Sequence, residues 1–328
     1  MPGHSHGITG RAHGGENSSM EKHTFPDGIL LIDKPARLSS AAVVAAVKRI
    51  TGAAKVGHGG TLDPFATGLM VCCLKRATRL ARFFLAGSKH YTATLRLGSA
   101  TDTQDVTGQT IAEMPWDGIS ETAIRRCAAG FRGWIEQLPP VYSALKHHGV
   151  PLYKLARKGF AVQKPARRVL ISSIEITGIR LPDVQLEVIC SAGTYIRTLG
   201  ADLAKALGTC GHLRTLRRLA TGNFHIARAL AFETLEPLAQ TGELRRRVIS
   251  MADALTGFAC HVADGQLIEK IRHGRPLTAA DIPARAHPHE TGKTAVYIKV
   301  IDGSGNLAAV LEKAAASETY RYCCVFPN

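Results

Sequence analysis

The chain has 328 residues, with 41 lysines and arginines against 26 aspartates and glutamates, for a formal charge of +15. That length fits two domains of ~150 residues each, and the positive excess favours a polyanionic partner, because each neutralised phosphate releases condensed counterions. No apolar run approaches the ~18 residues of a spanning helix and no apolar stretch opens the chain, so no membrane-spanning helix is expected and a cytoplasmic protein is predicted.

Residues 1–25 are rich in Gly, His and Ser without a hydrophobic period, and read as a disordered tail. GILLIDKP (28–35) is a short apolar strand stopped by Pro35, and Ser39 or Ser40 caps a helix over 41–50. The loop KVGHGGTLDPFATG (55–68) precedes the apolar run LMVCCL (69–74), and KRATRLARFFL (75–85) reads as a basic amphipathic helix. HYTATLRLG (90–98) alternates as a strand, with Tyr91, Ala93, Leu95 and Leu97 on one face. TDTQDVTG (101–108) is a polar loop, and Ser120 caps a helix that follows. Two strands at 166–181 and 183–193 lead into a helix closed by Gly208, and LRTLRRLATGNF (213–224) is strongly basic. From about Met251 short strands flank a Gly-Ser-Gly turn (303–305), which suggests a small β-rich module after a mixed α+β domain. The eight cysteines, Cys72, Cys73, Cys127, Cys190, Cys210, Cys260, Cys323 and Cys324, form no C-x-x-C pair, so they read as reduced thiols and no metal site is expected.

The loop at 55–68 holds the densest chemical signal. Its glycines permit tight turns and close ligand approach, and Asp63 is fixed from behind by Pro64. Such a carboxylate suits a nucleophile or general base, although by spacing alone an Asp-Pro turn with no further role is the commoner case. A phosphate cradle lacks its lysine-serine pair, and His58 lacks a second ligand at metal spacing.

GHGGTLDPFATGLM (57–70) resembles the signature loop of the TruB-type tRNA pseudouridine synthases. GILLIDKP, KHYTATLRLGSATDTQDVTG (89–108), PPVYSALKHHGVPLYKLARKG (139–159), CSAGTYIRTLGADL (190–203) and LRRLATGNF (216–224) match that family in order, and the last ~75 residues resemble a PUA RNA-binding module. The resemblance implies an α+β fold with a mixed, largely antiparallel sheet over residues 26–250, followed by a small β-barrel-like RNA-binding domain over 251–328. It implies isomerisation of uridine to pseudouridine in the T-loop of tRNA, position 55, by a monomer needing no cofactor, with a tRNA-folding chaperone as a secondary role.

By the same resemblance Asp63 is the catalytic aspartate, Tyr91 stacks on the flipped uracil, and Leu216 lies beneath it. Tyr195 is a second tyrosine of the site, and Arg197 pairs with the aspartate, compensating its charge in a desolvated pocket. His58 contacts the extruded nucleotides, while Lys34, Arg79, Arg217 and Arg218 are expected along the RNA backbone. Arg37 and Lys75 stand where the family carries glycine, and Arg79 where it carries lysine.

Overall fold

The computed structural model describes residues 25–282, 295–314 and 319–327. The expected N-terminal tail lies outside them except for Phe25, which packs against the main core. The first part of the chain contributes β1 (Gly28–Lys34), α1 (Ser40–Thr51), β2 (Val56–His58), β3 (Thr67–Leu74), α2 (Ala81–Ala86) and β4 (Lys89–Leu97). Then come α3 (Glu121–Ala129), β5 (Gly133–Gln137), β6 (Arg167–Arg180), β7 (Asp183–Cys190), α4 (Ile196–Ala206), β8 (Gly211–Thr221) and β9 (Leu230–Ala231). The strands form one sheet in the order β9-β1-β3-β8-β4-β7-β6-β5, with β2 paired to β3. Only β1–β9 and β3–β8 run parallel, so the sheet is mixed and largely antiparallel.

Hydropathy pattern explains where each strand sits. β4 alternates buried and half-exposed residues along its whole length, as expected for a strand covered on one face. β1 and β3 are continuous apolar runs because both of their faces are covered. Leu30, Ile32, Met70 and Leu74 join the core under α1 and α4. Ile29, Leu31, Leu69 and Val71 join a second core with Met251, Leu255, Leu307, Val310 and Phe326. Helix boundaries follow local chemistry: the Ser39 side chain accepts from Ala42 N–H, the Ser120 side chain accepts from Ala123 N–H, and Gly52 closes α1 in the left-handed region.

The expected single helix at 75–85 is corrected. Lys75–Leu80 is a 3₁₀ turn, and only Ala81–Ala86 is α-helical. Lys75 opens the turn with φ 51°, and the Thr78 hydroxyl donates back to the Lys75 carbonyl, so no regular α-helix can start there. LRTLRRLATGNF proves to be most of β8, its alternation hidden by irregularities between Leu213 and Thr215 and between Arg218 and Ala220.

The C-terminal part holds β10 (Ala259–Val262), α5 (Gly265–Arg272), β11 (Leu277–Thr278), β12 (Ala295–Ile301), β13 (Leu307–Ala314) and β14 (Thr319–Val325). These strands form a five-stranded sheet in the order β10-β12-β13-β14-β11. No helix among the described residues is long and apolar enough to cross a membrane, and all eight cysteines are free.

Candidate active site

Asp63 sits in the loop between β2 and β3, and the chain grips that loop from both sides. Ser40 Oγ accepts from Leu62 N–H at 2.8 Å and donates to Leu62 O at 2.9 Å. Lys34 Nζ donates to the carbonyls of Pro35 and Leu38, both at 2.8 Å, and reaches Pro64 O at 3.4 Å. From the β8 side, Arg218 Nε donates to Leu69 O at 2.7 Å, Nη1 to Thr61 O at 3.2 Å and Nη2 to Gly60 O at 3.0 Å. Gly68, at φ 106°, is where β3 meets β8 most closely: a Cβ there would stand 2.3 Å from the Arg218 carbonyl. Only glycine fits both that backbone conformation and that approach.

The first turn of α4 carries Arg197, which is 2% exposed. Its Nε donates to Asp63 Oδ2 at 2.8 Å and its Nη2 lies 3.4 Å from Asp63 Oδ1. The same guanidinium bonds Thr103 O at 2.5 Å and Tyr142 O at 2.8 Å, so one arginine joins the loop after β4 and the loop after β5 to the carboxylate. Asp63 keeps about a third of its side chain open, 32%, which leaves an edge for chemistry. Above it lies a cavity of about 320 Å³ whose lining includes Tyr91, Tyr195, Arg197 and Leu216. Tyr91 and Leu216 project from neighbouring strands and are 7% and 6% exposed, giving the cavity apolar walls. Burial pushes the Tyr91 phenol above its ordinary value, so it stays neutral, with Arg218 as its polar neighbour. A larger cavity of about 670 Å³ at the other end of β4 is lined by residues such as Trp116, His212 and Arg214, and by none of the expected site residues.

Six expected site residues, Asp63, Tyr91, Tyr195, Arg197, Leu216 and Arg218, therefore meet around one cavity. His58 stands apart from its lining: Nδ1 accepts from Gly60 N–H at 3.3 Å, and burial, then the Arg218 charge, lowers its pKa. The four residues expected along the RNA backbone are each engaged within the protein. Lys34 and Arg218 are 0% and 1% exposed and donate to carbonyls of the loop, bracing the segment that carries Asp63. Arg217 forms a two-point pair with Asp33 at 2.6 and 3.1 Å. Arg79 lies away from the cavity, donating to Val325 O at 2.5 Å with its guanidinium over the Phe326 ring.

Several residues of the site were not legible in the sequence. Asp105 is 4% exposed, 3.7 Å from Arg197 Nε, and accepts from Thr103 Oγ1, Thr107 N–H and Thr107 Oγ1. The threonines around it were an available signal for a buried carboxylate turn. Lys89, Gln137 and Arg167 also border or brace the cavity. Their only signal was position at a strand end.

Comparison with known proteins agrees with this geometry. Residues 48–196 match the model of the TruB family pseudouridylate synthase N-terminal domain, and residues 197–256 that of the tRNA pseudouridylate synthase B C-terminal domain. The chain is 48% identical to tRNA pseudouridine synthase B of Bordetella pertussis over 234 residues, covering 71% of this chain and 95% of that one. It is 42% identical to the Geobacter sulfurreducens protein of the same name over 256 residues, covering 78% and 84%. Among solved structures, an H/ACA RNP bound to a substrate RNA containing 2′-deoxyuridine superposes with a TM-score of 0.66 at 25% identity, covering 88% of this chain and 79% of that one. With its carboxylate loop, paired arginine and mixed sheet in place, the chain belongs to the TruB family of pseudouridylate synthases.

Proposed function

We propose that this enzyme isomerises uridine to pseudouridine at position 55, in the T-loop of tRNA, with Asp63 as the catalytic carboxylate. The names of its relatives support tRNA as the substrate class. In the reaction the N1–C1′ bond breaks, the uracil turns, C5 joins C1′, the C5 proton leaves and N1 is protonated. Atoms and electrons balance within the nucleotide. The base must first leave its stack, at a cost of a few kcal/mol. Tyr91 and Leu216 offer apolar surface against which its faces can pack, offsetting part of that cost.

The observation that carries the reading is the Asp63–Arg197 pair at the floor of a cavity open to solvent. A protein that only bound RNA would gain nothing from a guanidinium desolvated around an exposed carboxylate edge. Residues 26–250 carry the chemistry in this reading, and residues 251–328 form a PUA-like module that grips RNA, a role supported by the five-stranded sheet there.

The test is pseudouridine mapping on unmodified tRNA with wild type and Asp63→Asn. One T-loop position is expected to be modified by the wild type, with the variant inactive and tRNA binding retained. Tight binding without modification by the wild type would overturn the reaction and leave a tRNA-folding chaperone.

A further inference from the structure

Gln137, at the end of β5, is 0% exposed, and its amide is committed to a single residue of the backbone. Oε1 accepts from Tyr195 N–H at 2.7 Å, and Nε2 donates to Tyr195 O at 3.0 Å. A primary amide set against a peptide in this way imitates a paired strand and fixes both the position and the orientation of that residue. Its cross-strand neighbour on β6 is Arg167. The Arg167 guanidinium lies over the Tyr195 ring, 4.6 Å from its centroid, and donates to the Gly193 carbonyl. Tyr195 itself is extended, at φ −97° and ψ 110°, just before α4 and two residues ahead of Arg197, and no side-chain cap holds it there.

We infer that Gln137 and Arg167 are positioning residues for the isomerisation: together they clamp the backbone and ring of Tyr195 at the wall of the Asp63 cavity. The inference rests on the reaction proposed above. Neither residue need touch the uracil; both act through Tyr195, and through it on the start of the helix that aims Arg197.

A double-mutant cycle tests this, reading single-turnover conversion of unmodified tRNA, tRNA affinity and thermal unfolding. Gln137→Glu keeps the shape and the acceptor but sets a second oxygen against the Tyr195 carbonyl. Its rate is expected to fall about 10- to 100-fold with affinity changed less than about twofold, since a displacement of ~1 Å is enough. In a Tyr195→Ala background the same substitution is expected to cost clearly less than in the wild type, because the part of its action that runs through the Tyr195 ring is gone while the backbone bonds to Gln137 remain. Arg167→Lys keeps the charge and loses the planar stacking face, so it should behave likewise and decides the matter if Gln137→Glu fails to fold. Equal losses in both backgrounds, a loss confined to affinity, or a wild-type rate would overturn the clamp. A wild type that forms no pseudouridine overturns the proposed reaction instead, whereas an active wild type with an additive cycle removes the clamp alone.

Discussion

Lys89 shows how a cation is accommodated beside the Asp63 cavity without an acidic partner. It is 6% exposed, and its ammonium donates to the carbonyls of Phe84, Leu85 and Gly87 at the C-terminal end of α2, where unpaired carbonyls favour positive charge. Burial, reinforced by the Arg218 charge, lowers its pKa from 10.5 to about 8. Between those two values the unfolded chain holds a proton that the folded chain has released, so stability rises with pH across that window. Below about pH 8 both states are protonated and the contribution is flat at its least favourable value. Measured by urea unfolding against Lys89→Met, the wild type should gain about 1–3 kcal/mol relative to the variant from pH 8 to 10.5. A difference independent of pH would mean that the three carbonyls keep the ammonium charged.

Arg37 and Lys75 both adopt left-handed backbone, at φ 72° and 51°, a conformation that favours glycine. Side chains disfavour that conformation, at roughly 1–2 kcal/mol per residue. Arg37 is the cleaner test, because it is exposed and its backbone N–H already bonds Pro64 O at 2.7 Å, just behind Asp63. Arg37→Gly relieves the strain but enlarges the unfolded ensemble. The net expectation is a gain of ~0.5–1 kcal/mol in thermal or denaturant unfolding. A loss of stability would show that the arginine side chain contributes contacts worth more than the strain. Lys75 is the less decisive site, since its ammonium donates to the Phe25 carbonyl and a glycine would remove that bond too.

Across the whole molecule, the apolar back of β1 and β3 is covered by residues that come after position 250. Phe326 is 2% exposed in that shared core, under the Arg79 guanidinium at 5.3 Å, and Arg76 donates to Pro327 O at 2.8 Å. Removing the covering segment would expose Ile29, Leu31, Leu69 and Val71 together, so the two sheets should unfold as one unit. Phe326→Ala is expected to lower the unfolding free energy by about 3–4 kcal/mol and to keep a single transition. Two separate transitions, with only the smaller one moved, would show that the sheets are energetically independent.

Local chemistry was enough to mark β4 by its alternation, α1 and α3 by their serine caps, and β1 and β3 by their apolar runs, because each of these signals depends on residues within one turn or one strand. The loop bearing Asp63 was legible for the same reason, as a run of glycines ending in Asp-Pro. The roles of the arginines were not. Arg214, Arg217 and Arg218 look alike in the sequence, yet one pairs with Asp183, one with Asp33, and one is buried under the loop that carries Asp63. The irregularities in β8 decide which face each side chain takes, and their partners lie far off in sequence, 158 residues away for Gly60 and Arg218. Asp105 and Gln137 escaped notice likewise, since a buried polar group is recognised by the partners that satisfy it, and only the tertiary structure supplies them.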